Sequence, residues 1–172
     1  MKINYLTTIP ENEISGGVSG VNHAVFPRMK NLEESSYCYI ASPPVAQTEM
    51  LRSKILKCLH LPRNYFAFSE KRLALFARNV AEMQLPAAEV NFFNGFTQWI
   101  ACDSKLPYFA YNDASFWQYV RNSNRNERFL RSDLQRIYDA ERRWMANAVG
   151  IFFRSRWAAE ETRKAYHLSG AN

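Results

Sequence analysis

The stretch SDLQRIYDAERRWMANAVGIFFRSRWAAEETRKAY, residues 132–166, decides the fold. Leu134, Ile137, Trp144, Met145 and Ala148 recur at helical spacing, which predicts a helix with an apolar side. Ser132 is placed to open it, with Gln135 three residues on as a capping-box partner. The run VGIFF at 149–153 is short and apolar throughout, the signature of a strand covered on both faces. Arg154 and Ser155 lead into a second helix over 157–166, which Ser155 is suited to cap. Its acids, Glu160 and Glu161, come early and its bases, Arg163 and Lys164, come late, as the helix dipole favours. A buried strand held between two helices belongs to a parallel sheet with helical layers.

The same alternation continues outward from this unit. Strands are expected at 2–8, at 37–41 (YCYIA), at 90–93 (VNFF) and at 108–111. Helical spacing covers 21–32, where Pro27 predicts a kink or an early end. It covers 47–61 with Met50, Leu51, Ile55, Cys58 and Leu59 on one side, and 66–83 with Leu73, Phe76, Ala77 and Val80. A short helix is expected at 96–102. Pro43-Pro44 and Pro86 punctuate the pattern, and the Asn-rich 121–131 (RNSNRNERFLR) reads as a polar surface loop. The expectation is one α/β domain over 1–172: a Rossmann-like, doubly wound parallel sheet with helices on both faces.

The 172 residues, 47% hydrophobic and 15% aromatic, supply a core and exclude intrinsic disorder as the main state. Chains of this size bury about 70% of their extended surface. No apolar run approaches the roughly 18 residues of a membrane span, and the N-terminus lacks the apolar core of a secretory signal. Cys38, Cys58 and Cys102 are odd in number and widely spaced, which argues against a disulfide framework and for a reducing, cytoplasmic compartment. Neither they nor His60 and His167 form a metal-ligand pattern, so no metal is expected. Eleven Arg or Lys against six Asp or Glu between 121 and 164 carry most of the net charge of +6. Because acids alternate with bases there, a solvated helix surface is favoured over a nucleic-acid footprint.

In an open parallel sheet, ligands bind beyond the carboxyl ends of the strands. Four segments converge there. Gly16, Gly17, Ser19 and Gly20 follow the first strand. They either bring backbone N–H groups to a phosphate or sugar, or form a turn needing positive φ. They match neither GxGxxG nor GxxxxGK[ST], which disfavours standard dinucleotide and NTP sites. His23, close behind, is a general base, a donor to ligand, or a packing residue. Asn94 and Gly95 end the VNFF strand. Asn112 and Asp113 end the next, where Asp113 either orients or deprotonates a hydroxyl, or caps a helix beginning at Ala114. Arg154 is placed to pair with a phosphate or carboxylate. Trp117, Tyr119, Trp144 and Trp157 are read as core or interface.

Residues 139–144 (DAERRW), 146–155 (ANAVGIFFRS), 156–159 (RWAA) and 166–168 (YHL) together resemble the end of the N-terminal domain of family 4-like, GT-B type glycosyltransferases. There a glutamate-bearing helix, a strand and an S-x-W-A helix start follow one another. Residues 107–116 (PYFAYNDASF) are similar to the preceding strand of that family, and Ser15-Gly16-Gly17-Val18 stands where it has its glycine loop. The chain departs from the family at Asn147-Ala148, where Ala-Asp is usual, and at Asn112, where many relatives carry a histidine. The resemblance implies a retaining transfer of sugar from a nucleotide-sugar co-substrate to an acceptor hydroxyl, on a glycan or a lipid-linked sugar, with no metal and no cofactor. It implies that this is the acceptor-side half of a two-domain enzyme, inactive without a C-terminal donor-binding domain, and that the chain stops near the linker into that domain. On that basis Asp113 is the catalytic candidate. Gly16, Gly17, Ser19, His23, Asn94, Asn112 and Arg154 are the substrate- and donor-binding candidates. The alternative from another class is a basic α/β module that binds nucleic acid or, peripherally, an anionic membrane.

Overall fold

The computed structural model describes residues 1–13, 18–123 and 126–168. Five strands, β1 (Lys2–Thr7), β2 (Glu34–Tyr39), β3 (Val90–Asn94), β4 (Tyr108–Asn112) and β5 (Gly150–Phe153), form one sheet in the order 2-1-3-4-5. Every neighbouring pair is parallel. The helices are α1 (Val18–Leu32), α2 (Gln47–Cys58), α3 (Glu70–Glu82), α4 (Phe116–Asn122), α5 (Arg131–Ala146) and α6 (Arg156–Tyr166). The expected α/β fold with a doubly wound parallel sheet is what the chain adopts.

The period-two alternation of each strand separates two cores. Leu6, Phe93 and Ala110 stand in register across three strands and are sealed by α3, α4 and α5 through Phe76, Phe116, Ile137, Trp144 and Met145. Trp99 fills the centre of that face, 5.0 Å from both Phe76 and Phe93. Tyr5, Tyr37 and Phe92 point to the opposite face, where Phe26 of α1 packs 5.3 Å from Tyr5 and 4.8 Å from Tyr37. The two sides are unequal. α1 covers the β1–β2 end of its face, while Phe92 and Phe109 are half-buried and Phe152 is exposed toward β5. Gly150 belongs to this arrangement, since a Cβ there would meet the Phe109 ring at 3.0 Å.

Several elements differ from their sequence expectation. Pro27 does not end α1, which continues to Leu32. β2 starts three residues early, at Glu34, because its pairing with β1 runs back to Lys2. The 66–83 segment divides into a 3₁₀ turn (Phe66–Phe68) and α3, with Ser69 in extended conformation between them. Between β3 and β4 there is a 3₁₀ turn, Thr97–Trp99, in place of a helix. The predicted capping box at Ser132 is absent: α5 begins at Arg131, and Gln135 donates to Asp139 instead. A capping box does occur at Ser115 and Gln118 of α4, so Ser115, not Asp113, caps that helix. Within the expected 121–131 loop, Asn126–Arg128 form a 3₁₀ turn and Phe129 bridges to Arg63. The apolar side of α2 faces solvent, not the core. Trp144 is buried in the core, whereas Tyr119 and Trp157 are exposed.

Candidate functional site

In a 2-1-3-4-5 sheet the strand order reverses between β1 and β3, and the crevice outside their carboxyl ends is the general ligand position. Here Asn22 of α1 fills it. Its Oδ1 accepts from the Tyr5 hydroxyl at 2.8 Å and from Asn94 Nδ2 at 2.5 Å. Its Nδ2 donates to the Tyr37 hydroxyl at 3.0 Å and to Thr7 Oγ1 at 3.2 Å. Tyr37 passes the chain on to the Ile9 carbonyl at 2.7 Å, just past the end of β1. Burial raises both phenols, Tyr37 to about 12, so each stays a hydrogen-bond donor. A satisfied polar plug of this kind locks α1 to three strands.

The open space lies one strand over, beyond β4. A cleft of about 390 Å³ has a floor of three rings, Tyr65, Phe68 and Phe116. Tyr65 and Phe68 stack at 5.5 Å, and Phe116 meets each of them edge-on at 4.9 and 5.6 Å. Asn112, Asp113 and the exposed ring of Tyr119 also line it. The Asn112 amide shapes the turn: its Oδ1 accepts from the Asp113 N–H at 2.9 Å and its Nδ2 donates to the Ala114 carbonyl at 2.8 Å. Asp113 thereby projects its carboxylate into solvent, with Arg154 Nη1 at 3.9 Å. The backbone supports that pairing, since Arg154 N–H donates to the Asn112 carbonyl at 3.3 Å. Burial, the Asp113 charge and, in opposition, Arg154 act on the neighbouring Tyr111, whose hydroxyl pKa is raised on balance.

The wall behind the cleft is organised by Glu141, a fully buried carboxyl on α5. It accepts from Thr97 Oγ1 at 2.7 Å, from the Phe116 N–H at 2.9 Å and from the Tyr166 hydroxyl at 2.5 Å. One side chain thus ties the 3₁₀ turn after β3, the start of α4 and the end of α6 together. Burial raises its pKa against the effect of these three donors. Glu141 was not singled out in the sequence, although a lone acid in phase with Leu134, Ile137 and Trp144 marks it.

The sequence candidates therefore divide into groups. Asn112, Asp113 and Arg154 come together at the cleft. Asn94 is buried in the Asn22 plug, with its own carbonyl accepting from Trp99 Nε1 at 3.1 Å. His23 is exposed on α1 and donates from Nε2 to the Glu13 carbonyl at 3.1 Å. Gly16 and Gly17 lie outside the described residues; Ser19 belongs to the first turn of α1, and its side chain is likewise outside them. Asn22, Tyr119 and the three floor rings were not recognised as site residues from sequence. Among the described residues no cluster of three His, Cys, Asp or Glu could hold a metal ion, and no helix is long and apolar enough to cross a membrane. No known protein family, curated protein or solved structure matches the chain.

Proposed function

We propose that the cleft beyond β4 binds the sugar of an acceptor, and that the chain is the acceptor-side domain of a retaining glycosyltransferase using a nucleotide-sugar donor. The observation that carries this reading is the pairing of an exposed carboxylate, Asp113, with aromatic surface in one cleft. A pyranose has a C–H face that lies against rings and a rim of hydroxyls that donates to carboxylates and amides. Tyr119 supplies such a ring and Asp113 such an acceptor, at the sheet edge where α/β folds hold ligands. The resemblance of residues 107–116 and 139–168 to the end of a GT-B N-terminal domain supports the same reading.

On this reading Asp113 accepts a hydrogen bond from the reacting acceptor hydroxyl and raises its nucleophilicity, while Arg154 helps hold the carboxylate in place. The Asn112 amide serves by fixing the turn rather than by touching sugar. The donor nucleotide is assigned to a second domain, so this domain binds acceptor sugar without turning it over.

Isothermal titration with methyl α-glucoside, methyl α-mannoside and N-acetylglucosamine tests the proposal. At least one of them binds. Asp113→Asn weakens that binding about tenfold, as loss of one hydrogen bond to a charged group does, and Tyr119→Ala abolishes it. Both side chains are exposed, so the variants keep the thermal stability of the parent chain. No heat from any of the three glycosides, or undiminished binding in both variants, contradicts the assignment. Rapid transfer from a nucleotide sugar by this domain alone contradicts the two-domain division.

A further inference from the structure

α2 is built inside out. Its inward side carries Glu49, which accepts from Ser69 Oγ at 3.1 Å, the buried Ser53 and the half-buried Leu56. At 100° per residue the opposite side gathers Leu51, Ile55, Cys58 and Leu59 into an arc of about 100°. Leu51 and Leu59 are each 61% exposed and Ile55 52%, and Leu61, just past the helix end, is exposed as well. A monomeric surface helix places such a stripe against its core; here the core side is polar and small, and the apolar stripe is on the outside.

The charge around this stripe has one sign. Arg52 borders it on one edge and Lys54 on the other, with Lys57 beyond, all exposed, while the helix's one acid, Glu49, is turned inward. Past the helix end, Lys57, His60, Arg63 and Arg128 line a cleft of about 550 Å³ in which Glu127 is the one acid. The Arg63 guanidinium lies over the Phe129 ring, 5.5 Å from its centroid. An apolar stripe bordered by cations, beside a cationic cleft, is complementary to a surface that is apolar below and anionic above.

We propose that α2 is a membrane-docking helix that lies flat on an anionic lipid bilayer. Leu51, Ile55, Leu59 and Leu61 enter the boundary between headgroups and acyl chains. Arg52, Lys54 and Lys57 stay at headgroup level, and the cleft at Arg63 and Arg128 takes a lipid phosphate. The inference is independent of the sugar-binding reading, because it uses none of the residues of the β4 cleft.

Cys58 offers a direct test. It is exposed within the stripe, while Cys38 and Cys102 are buried, so a polarity-sensitive fluorophore attaches to Cys58 in the folded protein. On vesicles of phosphatidylcholine mixed equally with phosphatidylglycerol, the probe emission shifts to the blue and the unlabelled protein co-sediments. Neither happens on phosphatidylcholine alone. Lys54→Gln with Lys57→Gln weakens co-sedimentation by more than tenfold, at about fivefold per cation, and Ile55→Asp removes it while leaving the circular dichroism melt unchanged. Failure of the parent chain to bind the anionic vesicles overturns the proposal, as does equal binding by the Ile55→Asp protein. A blue shift that appears without lipid and tracks protein concentration, with a dimer in size-exclusion chromatography, assigns the stripe to a second copy and also overturns it.

Discussion

Glu141 stands in the apolar stripe of α5 and is fully enclosed, yet each of its hydrogen bonds comes from a different element. Its pKa is raised by burial, so folding favours the neutral acid. That contribution is fully present below the ordinary carboxylate pKa and is lost as pH rises through the raised value. A glutamine in its place accepts from Phe116 N–H and Tyr166 and donates to Thr97 without ionising. Glu141→Gln therefore matches the parent chain in urea unfolding at acid pH and unfolds at higher urea than the parent toward neutrality. Glu141→Ala leaves three buried donors unpaired and costs about 3 kcal/mol or more at any pH. A parent chain whose stability rises with pH across that window, relative to Glu141→Gln, contradicts the neutral assignment. Asn22 is the polar counterpart on the other face of the sheet. Both residues were legible only as polar positions in otherwise apolar patterns, because a contact to a distant strand or turn leaves no local signature.

Among the elements, the strands were the more legible. VNFF, YFAY and GIFF are short and largely apolar, and four of the five strands lie within a residue of their expected bounds. The helices show where periodicity stops being informative. The apolar spacing in α2 and that in α3 read alike, yet Phe76 is buried and Ile55 is exposed. Spacing reports that a helix has an apolar side, not which way that side turns; α2 is turned by the small Ser53 and the Glu49–Ser69 bond on its inner side. Urea denaturation separates the two cases. Phe76→Ala destabilises by about 3–5 kcal/mol, whereas Ile55→Ser changes stability by less than about 0.5 kcal/mol. A loss at Ile55 comparable to that at Phe76 means that α2 packs with the stripe inward. Caps were likewise legible in kind but not in place: Ser115–Gln118 and Ser132–Gln135 have the same spacing, and only the first closes as a box.

At the scale of the whole molecule, the parallel sheet brings every loop that follows a strand to one edge, and that edge is where Asn112, Asp113 and Arg154 meet. The position of the open cleft was not legible in the sequence. The switch point between β1 and β3, where the fold rule places it, is filled by Asn22, and the free space moves to the end of β4 over rings from residues 65–68 and 116. Those rings arrive from the long connection between β2 and β3 and from α4, a juxtaposition set by tertiary packing. The exposed stripe of α2 shares no residue with this cleft. The central claim, a sugar site beyond β4, is tested most directly by an amide-resolved NMR titration of the uniformly labelled protein with the three glycosides used for calorimetry. The account predicts saturable shifts confined to residues 112–119, to 65–68 and to Arg154, with α2 and the amino edge of the sheet unmoved. Shifts centred on 57–63 and 128 instead, or no saturable shift with any glycoside, contradict it.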